Sequence, residues 1–597
     1  MEQKYQFLLI TIGMTFGLIL LLLFIRRVHN SDYDKMELNQ PFIAASESRE
    51  EAAWREAQEG FEKCEACGFT NFKRIVTCSV CHAPLGDEKT KAKYAKKNKN
   101  NANKDGSVRA QRAIKRKEWS RKLDVEGKLY WFRDAINTSL DKLLPGFTFS
   151  FVANEAPATA NVTKTLHMET EGMQVEYLDV AKASPLAFAV GEPLVLLDSV
   201  SELLELNSQD FPYKYAEYIR RATLVLEPLK RQLLRMKISK VYGFEQSMEH
   251  LSCVPPKNTR LPINVIFQNA SYLSEVHDKH DNHREWFVIV NDTFAKPATG
   301  LFTCVNEVDQ SYYINPNSKA VFGEDHLNCF YATGRVIGRA LLHGDLMAFH
   351  LATPLLKILL GLPLSFHDLE HFDPVTYKNL KYLLENDNVE SLDLDFSIQE
   401  KRGDEIVTID LIPNGRNVGV TDANKKEYLM RRAQHVHVES VSSQLYALCK
   451  GFYEVVPQEL LLIFDPEEID YVLCGSDEID VGEWERTTRF NQYLYQHPVK
   501  KWFWQLVREM PLDYKKRLLH FTTGSTRVPI GGFSALSSSD GRLAPFTLQS
   551  IELVDSRSLR SFSCFNRLEL PLYIKKSELK ANLLSLLAPE NYEHACD

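Results

Sequence analysis

The sequence predicts an α+β protein of about three or four folded units, since 597 residues are too many for one hydrophobic core. Residues 211–240 set Tyr215, Ile219, Leu224, Leu229, Leu233 and Leu234 at mostly helical intervals, the stripe of a long amphipathic helix. Residues 147–152, Phe-Thr-Phe-Ser-Phe-Val, form a β-like run, and Leu568-Glu569-Leu570 alternates as a strand does. The hydrophobic share of 44% and charged share of 25% are those of an ordinary globular chain.

A formal net charge of −8 argues against a general nucleic-acid binder. It conceals one basic stretch: residues 87–122 hold 14 Lys/Arg against 4 Asp/Glu. The 11 cysteines are odd in number and scattered, except for Cys64, Cys67, Cys78 and Cys81. A secreted disulfide framework would be dense and even, so the pattern points to a reducing compartment with one metal cluster and one reactive thiol.

After a short tail (1–6), residues 7–25 form an uncharged apolar run bounded by Lys4 and by Arg26-Arg27, long enough to span a bilayer core. The run exceeds a signal peptide's apolar stretch and lacks a small-residue cleavage site, so an uncleaved anchor is expected. Arg26 and Arg27 outweigh Lys4, which would place the body of a single-pass membrane protein in the cytosol. The shortness of the run leans toward a thinner bilayer such as the endoplasmic reticulum. Residues 31–60 read as an acidic linker with a short helix near 47–59.

Cys64-x2-Cys67-x10-Cys78-x2-Cys81 offers two pairs of thiolates at the separation of a tetrahedral zinc site. Residues 61–86 are too few for a hydrophobic core, so one structural zinc ion would supply the folding free energy. With Asn71 four residues after Cys67, the segment resembles the nuclear-pore type of zinc finger, some members of which bind ubiquitin and others single-stranded RNA. The ubiquitin binders carry Thr-Phe after the second cysteine and an apolar residue between the last two. Here Gly68-Phe69 and Val80 stand there, making Phe69 and Val80 the candidate ubiquitin contacts. A structural or other protein-binding role and RNA binding are the alternatives, the last with only Arg74, Phe69 and Phe72 to serve it.

Residues 87–122 read as a basic linker that becomes a helix over 109–122, with attraction to anionic lipid as a secondary use. Residues 123–260 form an α/β region without a recognisable pattern. A WW-domain reading of Trp119 and Trp131 fails because the second tryptophan and its proline are not at the required distance.

The segment that organises the chain is 561–573, where Cys564 lies between Ser563 and Phe565, followed by Asn566 and Arg567. Alone, it suits a buried filler and a nucleophilic thiol equally well. Its neighbourhood resembles the C-terminal lobe of a HECT-type ubiquitin-protein ligase. The matching pieces are Trp502-Phe503-Trp504, residues 520–529 (His-Phe-Thr-Thr-Gly-Ser-Thr-Arg-Val-Pro), Gly531-Gly532-Phe533, Pro545-Phe546-Thr547 and Cys564-Phe565-Asn566-Arg567-Leu568. Upstream markers are Arg284-Glu285-Trp286-Phe287, Ile314-Asn315-Pro316-Asn317-Ser318, residues 334–341 (Gly-Arg-Val-Ile-Gly-Arg-Ala-Leu), residues 413–417 (Pro-Asn-Gly-Arg-Asn) and residues 459–464 (Glu-Leu-Leu-Leu-Ile-Phe). The chain departs in three places: Ser563 replaces the usual threonine, the Gly-rich turn before Arg284 is missing, and His594 stands where some members carry a phenylalanine.

The resemblance implies a bilobal domain, with a mostly helical N-lobe (261–474), a hinge (475–477) and a smaller α/β C-lobe (478–597). It implies that Cys564 accepts ubiquitin as a thioester from a conjugating enzyme and passes it to a lysine of a protein substrate. Ser563, Asn566, Arg567, Thr522, Thr523, His520 and Arg527 would support the catalytic loop. The conjugating-enzyme groove would lie within about 374–460, with Leu380, Leu383 and Tyr428 as candidates. Gly475 and Ser476 follow a helical 466–473 and suit a hinge that absorbs a large backbone change. The rival expectations are a catalytically idle HECT-like adaptor that binds ubiquitin or RNA through the finger, and a membrane-tethered RNA or lipid binder.

Overall fold

Two hydrophobic cores organise the molecule, seen in a computed structural model. The described residues are 48–86, 110–133, 144–153, 173–183 and 200–588, without 111, 182, 227–228, 230–231, 269–281, 295, 308–309, 403–404, 539–541 and 553–557. The first core draws on side chains from Ala53 to Cys474 together with Ile530, and the second on others between Val481 and Leu587. Mixed helix and strand content and two separate cores make this an α+β, two-lobed chain.

At the centre of the first core, helix His326–His343 crosses helix Ser442–Val455 at very short range. Glycines permit the approach: a Cβ on Gly334 would overlap the carbonyl of Leu448, and one on Gly451 that of Tyr331. Arg335 is buried at this crossing, where its Nε donates to Glu454 Oε2 at 3.0 Å and its Nη1 to the Val254 carbonyl at 2.7 Å. Those partners satisfy a charge that would otherwise be costly to bury.

The segments before residue 261 are built into the same core. Strand Leu234–Ser239 pairs in parallel with Ile263–Gln268, so no break in structure falls at 260/261. Helix Phe211–Leu226 sends the fully buried Lys214 to Glu468 Oε2 (2.6 Å) and the Ile463 carbonyl (3.1 Å), while the Tyr218 hydroxyl donates to the Leu341 carbonyl at 2.7 Å. The helix expected over 211–240 thus ends at Leu226 and gives way to a strand. Helix Arg49–Gln58 is more than a spacer, since Trp54 packs edge-on against Tyr213 at 5.3 Å. Strand Phe147–Ala153 pairs with Met173–Asp179 and sets Phe151 against Tyr446.

The basic stretch is only partly helical. After a helical turn at 112–115 the chain enters a hairpin, Trp119–Leu123 with Leu129–Arg133. Its arginines face acids of this protein: Arg112 Nε lies 2.8 Å from Glu467 Oε1, and Arg116 Nε 3.1 Å from Asp465 Oδ2. These two cations are used inside the fold, while the run 89–105 on which the lipid expectation rests lies outside the described residues.

The single-pass membrane localisation is corrected. Among the described residues no helix is long and apolar enough to cross a membrane, and the membrane anchor is withdrawn. The 7–25 run itself lies outside the described residues, as do the acidic stretch 31–47 and the basic run 89–109.

The C-lobe carries a four-stranded sheet in the order Arg489–Phe490, Thr547–Ile551, Arg567–Pro571, Arg560–Phe562. The first three strands are parallel and the last is antiparallel to its neighbour, with Phe562 opposite Arg567. The strongly amphipathic helix Pro498–Glu509 buries Phe503 and Trp504, and Trp484 stacks on Phe533 at 4.9 Å. The sheet thereby fixes both ends of the loop that holds Cys564.

Candidate functional site

Cys564 lies in the tight turn Ser563–Phe565 between two antiparallel strands, with its thiol half-buried. The turn is closed by Asn566, which is fully buried in a left-handed conformation (φ 49°), a region that asparagine tolerates. Its Nδ2 donates to the carbonyls of Ser537 (2.9 Å) and Ala544 (2.7 Å), locking the turn to the preceding loop. Arg567 stacks its guanidinium over the Phe562 ring at 4.2 Å, and burial lowers its pKa. Ser561 donates its hydroxyl to the Phe521 carbonyl, tying the strand to helix Leu512–Thr523.

The N-lobe also grips this turn. Arg284, at the start of helix His283–Phe294, donates from Nη1 to the Ser563 carbonyl at 2.8 Å and to Asn566 Oδ1 at 2.6 Å. Its Nη2 donates to the Ser537 carbonyl. One side chain of one lobe therefore holds the Ser563 carbonyl before Cys564 and the Asn566 side chain after it in the other. His520, expected beside the thiol, instead places Nε2 3.1 Å from Asp292 Oδ2 on the same N-lobe helix.

Three further expectations are corrected by geometry. The hydroxyls of Thr522 and Thr523 bond back to the carbonyls of Leu518 and Leu519 (2.8 and 2.7 Å), so both serve their own helix. Arg527 belongs to the hinge: its Nη1 lies 3.2 Å from Asp477 Oδ2 and donates to His350 Nε2 at 3.0 Å, while His350 Nδ1 faces Asp470 Oδ2 at 2.8 Å. Leu380, Leu383 and Tyr428 are buried, Tyr428 edge-on to Phe396 at 5.3 Å, and hold the 374–460 subdomain together. The apolar side chains exposed on helix Pro374–Glu385 are Val375 and Tyr382, seven residues apart on one face.

At the hinge, helix Pro466–Cys474 is started by a reciprocal capping box between Asp465 and Glu468 and stopped by Gly475. Gly475 has φ 66° and ψ −156°, where a side chain would meet the Val528 carbonyl at 2.5 Å. Ser476 and Val528 exchange backbone hydrogen bonds of 2.8 and 3.0 Å. Burial disfavours the charge on Asp477, but His350, Arg527 and Lys516 around it hold the carboxyl well below its usual range.

Burial disfavours the thiolate at the other described cysteines of the domain. Burial pushes the thiols of Cys449 and Cys474 up, takes Cys329 to about 11, and raises Cys304 as well. Cys596 lies outside the described residues.

Cys64, Cys67, Cys78 and Cys81 converge, and their sulfurs all lie within 4.8 Å of one another. Each pair turns on a left-handed residue directly after its second cysteine, Gly68 (φ 71°) and His82 (φ 58°). Sulfurs of opposite pairs sit 3.6 Å apart (Cys64 to Cys81, Cys67 to Cys78), the edge expected of a tetrahedron of thiolates about 2.3 Å from a central ion. Asn71 braces the group, its Nδ2 3.5 Å from Cys78 Sγ and its Oδ1 accepting from Ser79 N. Four buried sulfurs in this arrangement fit a metal ion. Phe69 and Val80 are not surface contacts: they are 1% and 6% exposed, with Phe69 packed on Phe211 at 5.1 Å.

Sequence reasoning assigned no role to Arg284, although it lies in a quoted motif, and missed Asp292, His350 and Asp470. Those three act through partners more than a hundred residues away, for which a single sequence carries no signal.

The HECT-domain (ubiquitin-transferase) family model matches residues 287–591, just over half of the chain and including the Cys564 turn. The chain belongs to this family. Similar curated proteins include "E3 ubiquitin-protein ligase TOM1-like" of Neurospora crassa, 32% identical over 355 residues, which are 59% of this chain and 8% of the relative. Another is "E3 ubiquitin-protein ligase UPL2" of Arabidopsis thaliana, 34% identical over 367 residues, 60% of this chain and 10% of the relative. The chain thus spans about a tenth of the length of these relatives.

Proposed function

We propose that the protein is a ubiquitin-protein ligase in which Cys564 accepts ubiquitin from a charged conjugating enzyme and passes it to a substrate lysine. The observation that carries this reading is the half-buried Cys564 in a tight turn, inside a family match over residues 287–591. The Cys564 thiolate attacks the carbonyl carbon of the incoming thioester, a new C–S bond forms, and the conjugating enzyme's thiolate leaves. A lysine amine then attacks the new thioester, an isopeptide bond forms, the amine proton passes to water and the Cys564 thiolate is released. The first exchange is nearly neutral in free energy, so placement of the thiol matters more than acid–base groups. Asn566 and Arg284 supply that placement through the turn they hold. The conjugating enzyme would dock on the 374–460 subdomain, where Val375 and Tyr382 offer an apolar face. One thiol serving two partners requires the lobes to swing, with Gly475 and Ser476 as the joint. The four-cysteine group would hold one structural zinc ion.

Incubation of the full chain with a panel of charged conjugating enzymes tests the reading. A ubiquitin adduct that reductant cleaves, and that Cys564→Ala abolishes, is expected. An adduct that survives Cys564→Ala would overturn it, and no adduct with any enzyme would favour a catalytically idle adaptor.

A further inference from the structure

We infer that the four-cysteine finger is a latch between the lobes, holding the C-lobe in its docked arrangement until the contact is released. The finger has two working sides. On one, Phe69 and Phe72 are sunk among Phe211, Tyr215 and Tyr471, and Arg116 donates to the Cys67 carbonyl at 2.8 Å. That side is a hydrophobic graft onto the N-lobe.

The other side reaches the C-lobe. Arg74, held by Glu56 at 2.9 Å, donates to the carbonyl of Ile530 and approaches Glu483 Oε2 at 3.8 Å. Thr77 donates its hydroxyl to Glu478. These contacts straddle the joint, because Glu478 lies two residues beyond Ser476 and Ile530 two beyond Val528, the pair that bridges the lobes. The Ile530 side chain is buried in the first core, with the finger and the N-lobe, although its neighbours in sequence belong to the second.

The asymmetry of the two sides makes the device a latch and not a weld. The N-lobe side is built on buried aromatic packing, with the Arg116 and Thr70 hydrogen bonds added to it. The seam on the hinge side is a polar cleft lined by Thr77, Arg112, Asp470, Asp477 and Glu478, where water can replace each hydrogen bond as it breaks. The finger therefore parts from the C-lobe and stays with the N-lobe. Glu483 shows how closely the latch is keyed to the family's glycine pair, because it accepts from Phe533 N at 3.0 Å beside Arg74. The consequence for Cys564 rests on the proposed ligase reading, whereas the latch itself does not.

Amide hydrogen exchange on the full chain tests the latch without reference to activity. The double variant Arg74→Ala/Thr77→Ala leaves the four cysteines in place. It is expected to speed exchange of the peptides around Ser476 and Val528 by about tenfold, with 61–72 and helix Phe211–Leu226 unchanged. Unchanged exchange at the hinge would overturn the latch. If 61–72 also loosens, Glu478→Ala decides, since it removes the C-lobe acceptor of Thr77 and leaves the finger's own residues in place. Faster hinge exchange with an intact finger supports the inference, and hinge protection equal to that of the unsubstituted chain overturns it. Failure of the chain to accept ubiquitin would refute the ligase reading and leave the exchange result standing.

Discussion

The two lobes reach stability by different routes. The C-lobe core is drawn from one continuous run, Val481 to Leu587, with Trp484, Phe503, Trp504 and Phe546 at its heart. The first core gathers the finger, helix Phe211–Leu226 and the crossing of His326–His343 with Ser442–Val455 from segments spread over four hundred residues. A lobe made of one run is self-contained and can move as a unit. A lobe assembled from distant segments needs each of them, so residues before 261 are parts of it and not attachments.

The comparison breaks most readily at Trp484. Trp484→Ala is expected to cost about 3–5 kcal/mol, because a fully buried ring is removed from the C-lobe. Denaturant unfolding followed by exchange should show that loss in the C-lobe alone, and equal loosening of the finger would mean the cores are not separate. Removing the proposed zinc ion should do the reverse. At a metal concentration of about a hundred times its dissociation constant the ion contributes about 2.7 kcal/mol. Chelation should lower the unfolding transition of the first core and leave the C-lobe transition unmoved; metal analysis of the full chain should also find one zinc per chain.

Gly475→Ala sharpens the comparison at the joint. Its positive φ and the nearby Val528 carbonyl make the substitution cost about 1–3 kcal/mol, read as faster exchange at 475–478. Normal protection there would show that the joint tolerates a side chain. The smallest effect is pH dependence at His435, which lies between Glu400 (2.5 Å) and Glu439 (3.4 Å). Burial opposes its charge, yet Glu400 and Glu439 outweigh that and raise its pKa. Its contribution is fully present below the unfolded value of about 6.5 and is lost as pH rises through the folded value. The protection of hairpin Ser397–Arg402 with Glu405–Asp410, taken relative to the intrinsic exchange rate at each pH, should therefore fall on alkalinisation, and His435→Gln should remove that fall.

Much of this was legible in the sequence where chemistry is local. The two cysteine pairs, the strand at 567–571 and the Cys564 turn are short-range patterns, and they appear where the sequence puts them. What sequence could not supply was which face of a residue would be used. Phe69 and Val80 looked available for a partner, but Phe211 covers Phe69 from 142 residues away in the chain. Leu380 and Leu383 share a helix with Tyr382, and only the packing of Phe396 and Tyr428 separates core from surface there. Thr522 and Thr523 sit in the right motif, yet the helix they belong to takes their hydroxyls.

The central claim is that ubiquitin is carried on Cys564. Mass spectrometry of Cys564→Ser after incubation with a charged conjugating enzyme tests it most directly. Serine replaces the thioester by an ester, so the adduct should resist reductant and map to residue 564. An adduct on any other residue, or a reductant-sensitive adduct in this variant, would contradict the assignment.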